Sequence, residues 1–211
     1  MSLRLLDLFC GAGGTAVGYH RAGFTEIVGV DNRPQPRFPF QFVQADALEY
    51  VAEHGREFDA IHASPPCQRY SRMTTCRTGL QNTHPDLVAA TRRALRASGK
   101  EWVIENVVGA PLATAVMLCG TMFGLSTYRH RLFESSVCLL VPPDPHHEIP
   151  ASKAGHWIPG TMISVAGNCA PIALARAAME VDWTTRAELA EAIPPAYTEF
   201  IGKQLREAVA R

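Results

Sequence analysis

One cysteine lies where its thiol could act as a nucleophile. Cys67 follows two prolines in the segment Ser64-Pro65-Pro66-Cys67-Gln68, directly after an apolar run that we expect to form a strand. Because the prolines restrict the backbone, the thiol would be presented in a fixed position at the end of that strand. The alternative is a buried cysteine that only fills space, since cysteine is among the most often buried residue types.

An acidic residue follows the next predicted strand. Glu105, in the segment Glu105-Asn106-Val107, ends the run that begins at Glu101. Parallel strands place their carboxyl ends at one edge of a sheet, so Glu105 should lie near Cys67. Burial there would raise the pKa of the carboxyl and keep it protonated near neutral pH. A thiol beside a protonated acid suits attack on an electron-poor ring.

A glycine-rich loop indicates a ligand site at the same edge. The segment Asp7-Leu8-Phe9-Cys10-Gly11-Ala12-Gly13-Gly14 lies between a predicted strand and a predicted helix. Glycines let the backbone approach a ligand, and the free amides of a helix N-terminus favour an anionic or polar group. Asp31 ends the following strand and could accept hydrogen bonds from both hydroxyls of a ribose. A tight turn with a purely structural role would explain both features equally well.

The elements that position these residues alternate along the chain. Apolar runs predict strands over residues 3–9, 26–30, 40–43, 58–63 and 101–107, and helices are predicted over residues 15–22, from near 84 to about 98, and over 195–211. This alternation predicts an α/β fold with a doubly wound, Rossmann-like parallel sheet covered on both faces. The residues expected at its carboxyl edge are Gly11, Asp31, Asp46, Cys67 and Glu105. In the last helix, four apolar residues at four-residue spacing predict a core-facing stripe: Tyr197, Ile201, Leu205 and Val209.

Composition limits the domain count and the classes of partner. The chain has 211 residues, of which 47% are hydrophobic and 19% charged, so it can form one α/β domain with a small appendage but not two large domains. Twenty basic and 20 acidic residues give no net charge, so the total does not demand an acidic partner. A local excess of basic residues between 67 and 100 could face phosphates or form a solvated helix face: Arg69, Arg72, Arg77, Arg92, Arg93, Arg96 and Lys100.

Cysteine usage predicts a protein of the reducing cytoplasm. The six cysteines fall at irregular spacings without a Cys-x-x-Cys pair, and no apolar stretch approaches a membrane span of roughly 20 residues. The cysteines and histidines of the loop-rich stretch that follows residue 135 match no familiar zinc finger: Cys138, His146, His147, His156 and Cys169. We therefore expect no metal site and an exposed histidine-rich loop.

Four segments, in this order, resemble the motifs of the cytosine carbon-5 DNA methyltransferase family. The glycine loop is similar to its first motif, Pro65-Pro66-Cys67-Gln68 to its nucleophile motif, Glu105-Asn106-Val107 to its acid motif and Arg129-His130-Arg131 to its paired-arginine motif. The segments Thr184-Thr185-Arg186-Ala187-Glu188-Leu189 and Ile193-Pro194-Pro195 with Ile201-Gly202 resemble its last two motifs. Methyltransferases of exocyclic amino groups would instead have an aspartate or asparagine before the prolines and an aromatic residue after them.

The resemblance implies a class I methyltransferase fold in three parts. Residues 1–135 would form a catalytic domain that binds S-adenosylmethionine, residues 136–180 a reduced target-recognition lobe, and residues 181–211 a segment that returns to the catalytic domain. Only about 45 residues separate Ser135 from the motif near Thr184, which resembles short bacteriophage-encoded members. A role in restriction-modification and a monomeric state are expected.

The resemblance also implies a reaction and its residues. S-adenosylmethionine would methylate carbon 5 of a cytosine flipped out of double-stranded DNA through a covalent Cys67 adduct, with Glu105 holding the ring. Arg131 and Arg129 would favour negative charge as it develops. The implied cofactor residues are Phe9, Cys10, Gly11, Ala12, Gly13, Gly14, Asp31, Asn32, Asp46, Ala47, Pro66, Ala192 and Ile193. The implied nucleic-acid contacts are Gln68, Arg69, Ser71, Arg72 and Arg77.

Some residues depart from the family pattern and leave alternatives open. Asn32 stands where the family has an aromatic residue, Ala190-Glu191 where it has Gly-Asn, and the glutamine before the paired arginines is missing. Asp46 could be a helix N-cap rather than a cofactor ligand. The same chemistry on RNA or a free nucleotide, and a non-catalytic homologue that binds cofactor and DNA, remain alternative functions.

Overall fold

A mixed seven-stranded sheet forms the centre of the computed structural model, which describes residues 2–70, 86–143 and 147–211. The strands are β1 Arg4–Leu8, β2 Glu26–Asp31, β3 Gln41–Gln44, β4 Ala60–Ala63, β5 Glu101–Asn106, β6 Val116–Leu118 and β7 Arg131–Ser135. Their order is β3-β2-β1-β4-β5-β7-β6; the first five run parallel, and β7 is antiparallel to both β5 and β6. The predicted Rossmann-like α/β fold is confirmed. The prediction of a wholly parallel sheet was wrong, because β6 and β7 add an antiparallel edge.

Helices cover both faces of the sheet. They are α1 Gly14–Ala22, α2 Ala47–His54, α3 Val88–Ser98, α4 Ile172–Met179, α5 Arg186–Glu191 and α6 Pro195–Val209. Successive strand residues point to opposite faces, so Leu5 packs in one core cluster with Tyr19 of α1 and Ile201 of α6, whereas Leu6 packs in another with residues of α2 and α3. Among the described residues, no helix is long and apolar enough to cross a membrane.

The last helix packs along α1 through its predicted apolar stripe. Tyr197, Ile201 and Leu205 are fully buried, and Val209 packs partly against the same cluster. The Thr198 hydroxyl donates a hydrogen bond of 2.9 Å to the carbonyl of Thr15. The end of the chain thereby stabilises the helix that follows the glycine loop.

Residues 163–192 form a third, separate core cluster, around Cys169, Met179 and Leu189. Helix α4 follows the stretch over residues 142–160 that was predicted to be loop-rich, where helices were expected to return. Helix α5 begins with a capping box in which Thr185 and Glu188 satisfy each other's backbone amides. The indole nitrogen of Trp183 donates to the carbonyl of Ala12 at 2.8 Å, which fastens this part of the chain to the glycine loop.

The basic residues of α3 divide into two kinds. Arg92 forms two hydrogen bonds of 2.6 Å with the buried Glu134 of β7, so its guanidinium is engaged within the fold and is not free for a phosphate. Arg93 and Arg96 are exposed, as on a solvated helix face. Although burial alone would raise it, the pKa of Glu134 is lowered by the bonds from Arg92 and from the amide of Ala113. This ion pair ties α3 to the antiparallel edge of the sheet.

Candidate active site

The nucleophile and acid segments meet at the carboxyl edge of β4 and β5. These strands are parallel neighbours, with Ala63 opposite Ile104, so Cys67 and Glu105 leave the sheet on the same side. The Asn106 side chain donates to the carbonyl of Pro65 at 2.9 Å, and the amide of Tyr70 donates to the carbonyl of Cys67 at 2.9 Å. Residues from both segments therefore fix the backbone that carries the thiol.

Glu105 is a buried carboxyl with a cation beside it. Its Oε1 lies 3.0 Å from Nε of Arg131 at the start of β7, and both side chains are largely buried. Burial raises the pKa of Glu105, while Arg131, a hydrogen bond from Ser64 and Arg129 lower it, and the net shift is upward. The protonated form therefore persists to higher pH than in an exposed glutamate.

The Cys67 thiol shares this environment. Burial, followed by the charge of Glu105, raises its pKa, and the charges of Arg131 and Arg129 oppose the rise. The resting side chain is a thiol, and any loss of negative charge at Glu105 favours the thiolate. Protonation of Glu105 and ionisation of Cys67 are thus coupled.

Arg129 makes its hydrogen bonds to backbone carbonyls. Its Nη2 donates to Ala190 and Ala192 at 2.7 Å each, Nε donates to Ala192 at 3.2 Å, and Nη1 donates to Val165. Burial, together with the charge of Arg131, lowers the pKa of Arg129 to about 9. Its described contacts join the paired-arginine segment to the residues before α6, whereas Arg131 contacts Glu105 directly.

A chain of buried polar side chains that the sequence did not reveal leads to Glu105. His62 of β4 lies 2.9 Å from the Tyr19 hydroxyl through Nδ1 and 3.0 Å from the Ser64 hydroxyl through Nε2. Burial lowers the pKa of His62 to about 3, so the ring is neutral. Because Ser64 donates to the Glu105 carboxylate, we assign the ring proton to Nε2 and let Tyr19 donate to Nδ1. This chain orients Ser64 towards the acid.

Asp7 is a second buried acid that sequence reasoning missed. It accepts a hydrogen bond of 2.7 Å from the Thr15 hydroxyl, and its Oδ1 has no partner among the described residues. Burial raises its pKa to about 8, against the effect of the Thr15 bond. The protonated carboxyl links β1 to the first turn of α1, beneath the glycine loop.

The predicted cofactor residues lie along the neighbouring strand ends. Asp31 accepts from the amide of Gly11 at 3.2 Å through Oδ2 and from the amide of Arg33 at 2.9 Å through Oδ1. Asp46 is the N-cap of α2, accepting from Leu48 and Glu49 through Oδ1. The N-cap interpretation of Asp46 is therefore correct, although its Oδ2 accepts no bond from the described residues. Ala47 is buried in the first turn of α2, and Asn32 is exposed.

The remaining predicted residues fall on both sides of the loop. A Cβ at Gly14 would overlap the carbonyl oxygen of Ile193, so the C-terminal segment lies directly against the start of α1. Phe9 and Pro66 are half-buried. Gln68 and Arg69 are half-buried in the turn after Cys67, and Ser71, Arg72 and Arg77 lie outside the described residues. The other loop residues that were predicted are Cys10, Ala12 and Gly13, and all three are buried.

A family comparison fits this arrangement. The model of C-5 cytosine-specific DNA methylases matches residues 3–112 of the 211. The chain belongs to this family. Type II methyltransferase M.AquIA of Picosynechococcus sp. is 32% identical to this chain over 127 residues, which are 52% of the chain and 50% of the relative. Type II methyltransferase M.HgiDI of Herpetosiphon aurantiacus is 30% identical over 151 residues, 64% of the chain and 48% of the relative.

The chain spans about half the length of the curated relatives it matches. A solved structure described as a DNA modification methyltransferase encoded within an E. coli prophage superposes with a TM-score of 0.69 at 14% identity, covering 100% of both chains. At that identity, the likeness shows the shared fold.

The glycine loop fits S-adenosylmethionine, the cofactor that membership of a methyltransferase family implies. A Cβ at Gly11 would meet no atom within 4 Å, so the space in front of the loop is open. The Asp31 carboxylate lies beside that space, held by the Gly11 amide. An open glycine surface next to a carboxylate is suited to a ligand that carries hydroxyl groups.

Proposed function

We propose that this methylase transfers a methyl group from S-adenosylmethionine to carbon 5 of cytosine in double-stranded DNA through a covalent Cys67 adduct. The observation that carries the proposal is the buried Glu105, which lies 3.0 Å from Arg131 and interacts electrostatically with Cys67. A nucleophile, a carboxyl of raised pKa and a fixed cation at one edge suit addition to a cytosine ring.

The side chains would act in sequence on a flipped cytosine. The Cys67 thiolate forms a bond to carbon 6, and the electron pair of the carbon 5–carbon 6 double bond moves into the ring, where protonated Glu105 donates to nitrogen 3. Arg131, with Arg129 behind it, favours the thiolate and the charge that develops near the base. Bound S-adenosylmethionine would supply the methyl group and leave as S-adenosylhomocysteine. Nitrogen 3 returns its proton to Glu105, a base such as water takes the carbon 5 proton, and the Cys67 thiolate leaves as the carbon 5–carbon 6 double bond re-forms.

Cofactor binding is assigned to the loop from Phe9 to Gly14, with Pro66 and the Ala192-Ile193 backbone beside it. Asp31 is the acceptor for the ribose hydroxyls because the Gly11 amide already holds its carboxylate at the open side of the loop. Oδ2 of Asp46 is the acceptor for the adenine amino group. Ala47 and Asn32 would flank these two acids.

DNA would lie across the carboxyl edge. Gln68, Arg69, Ser71, Arg72 and Arg77 follow the nucleophile in sequence and are proposed to contact the strand. A cleft beside Arg131 faces the proposed recognition lobe of residues 136–180 and is lined by Thr127, Tyr128, Arg129, Ala151, Ile163, Ser164, Val165 and Ala166. We expect a monomer that acts in the cytoplasm.

Bisulfite sequencing tests the proposal. DNA from cells that express the protein should show methylated cytosines in a defined context, and Cys67→Ala should abolish them. Cys138→Ser is the matched control, because Cys138 is an exposed free thiol outside the site, and it should leave methylation unchanged. Methylation that persists in Cys67→Ala would overturn the proposal, and transfer to an RNA of the same sequence but not to DNA would reassign the substrate.

A further inference from the structure

Three metal-binding side chains converge beside the paired arginines, outside the chemistry proposed above. Cys119, His130 and His147 place their ligand atoms within 4.8 Å of one another, and no other group of three His, Cys or acidic side chains is arranged in this way among the described residues. Cys119 is buried, His130 is half-buried and His147 is exposed. The cluster thus has a buried thiol and an open side.

The distances between these atoms fit one shared ion. Nε2 of His130 lies 3.2 Å from Nε2 of His147, and Sγ of Cys119 lies 3.5 Å from the same nitrogen of His147. Zinc binds histidine nitrogen at about 2.0–2.1 Å and cysteine sulfur at about 2.3 Å in tetrahedral geometry. Two ligands on one such ion are therefore separated by about 3.3 Å for two nitrogens and about 3.6 Å for nitrogen and sulfur. Two of the three pairs therefore have the separation of ligands on one ion, and the third pair, Cys119 and His130, lies within 4.8 Å.

The surroundings hold the three side chains in place. Cys119 precedes a 3₁₀ turn at Gly120–Phe123, and a Cβ at Gly120 would overlap the carbonyl of Thr127, so the chain before His130 lies directly against the residue that follows Cys119. The rings of His130 and His147 stack with centroids 4.9 Å apart. The Tyr128 ring lies 4.1 Å from the ring of His147 and donates its hydroxyl to Ile149. These contacts keep the three side chains close together.

A partner also exists for the sulfur. The Thr121 hydroxyl lies 3.1 Å from Sγ of Cys119, and a metal-bound thiolate can only accept from it. Hydrogen bonds of this kind orient metal ligands and tune their basicity. We infer that Cys119, His130 and His147 form a binding site for a zinc ion, with water in the fourth position.

This site differs from the expectation of no metal, which considered cysteines and histidines close together after residue 135. Of the described members of that set, His147 alone belongs to the cluster, and its partners lie 17 and 28 residues earlier. The ion would fasten the segment around His147 to the start of β7. His130 lies between Arg129 and Arg131, so the bound ion would also steady the backbone that presents both arginines.

Metal titration of the purified, chelator-treated full chain tests the inference without reference to methyl transfer. Zinc should bind at one ion per chain by calorimetry and raise the melting temperature, and cobalt should give the thiolate charge-transfer and tetrahedral ligand-field bands of a cysteine–histidine site. His147→Ala should weaken zinc binding by at least about 100-fold, because it removes a direct ligand. Because His147 is exposed, this variant should keep its fold, and circular dichroism checks that it does.

Two further variants sharpen the result. Cys119→Ser should abolish the cobalt charge-transfer band, whereas Cys138→Ser and His156→Ala, which change a thiol and an imidazole outside the cluster, should bind zinc as the unmodified chain does. Failure of the unmodified chain to bind zinc would overturn the inference and leave only hydrogen bonds among the three side chains. Stoichiometric binding that survives both His147→Ala and Cys119→Ser would overturn it as well.

Discussion

Replacing Arg131 with methionine should destabilise the fold in a way that depends on pH. The change removes the cation 3.0 Å from Glu105 but keeps an apolar side chain of similar length. At an effective dielectric constant of about 20, the attraction between unit charges at that distance is about 5–6 kcal/mol. A buried carboxylate without its partner would be costly, but Glu105 can escape this cost by taking up a proton.

Protonation sets an upper limit on the loss. An unfolded glutamate has an ordinary pKa of 4.5, and each pH unit above that value costs about 1.4 kcal/mol for a side chain that must fold protonated. The loss of unfolding free energy in Arg131→Met is thus at most about 3.5 kcal/mol at pH 7 and below about 1 kcal/mol at pH 5. The direction of this pH dependence follows because the pKa of Glu105 is higher in the folded than in the unfolded chain. The stability that protonated Glu105 contributes is therefore present in acid and lost as the pH rises.

Urea denaturation at pH 5, 6, 7 and 8 measures this difference. The double variant Glu105→Gln with Arg131→Met is the matched control, because it has no carboxyl to titrate, and its stability relative to the protein with both native residues should vary less with pH. A loss in Arg131→Met that is equal at pH 5 and pH 8, or that grows on acidification, would refute the electrostatic account of this pair.

Three other predictions concern buried charges. Asp7→Asn should be more stable than the native chain at pH 8. The difference should grow by up to about 1.4 kcal/mol per pH unit between pH 3.8 and about 8, because folding raises the pKa of the Asp7 carboxyl across that window. Thermal melts at several pH values check it. Arg92→Met should cost about 3–5 kcal/mol in urea because it leaves Glu134 buried without its cation, whereas the exposed Arg93→Met should stay within about 0.5 kcal/mol; equal losses would contradict this. The pH profile of kcat/KM should rise, level off as Glu105 loses its proton and fall once Cys67 is fully ionised. In Glu105→Gln, kcat/KM should be lower and should rise continuously through the pH range of the native plateau. An unchanged plateau in this variant would exclude Glu105 as the titrating acid.

The sequence predicted the parallel core well because each strand there is a buried apolar run. β1, β2 and β5 end within a residue or two of their predicted bounds, and the strand ends bring Cys67 and Glu105 to one edge, as parallel topology requires. β6 was missed because three residues carry too little pattern, and β7 because its sequence reads as a continuation of the arginine motif. Helix α2 was also missed, although Asp46 was recognised as a possible helix N-cap.

Contacts between residues far apart in the chain could not be predicted from the sequence, for a physical reason. Arg92 and Glu134 are 42 residues apart, and neither carries a local signal that it will be buried. His62 belongs to an otherwise apolar strand, so only the fold shows that it joins Tyr19 to Ser64. The Cys119, His130 and His147 cluster has no motif spacing, because its ligands come from three segments that only the antiparallel edge and its loops bring together.

Covalent trapping tests the central claim most directly. Double-stranded DNA containing 5-fluorocytosine should form a stable complex with the protein in the presence of S-adenosylmethionine, because fluorine at carbon 5 cannot leave as a proton does and the Cys67 bond is retained. Mass spectrometry of the digested complex should find the nucleotide on the peptide that contains Cys67, and Cys67→Ser should give no complex. A complex that forms through another cysteine, or intact methylation activity without any trapped complex, would contradict the account.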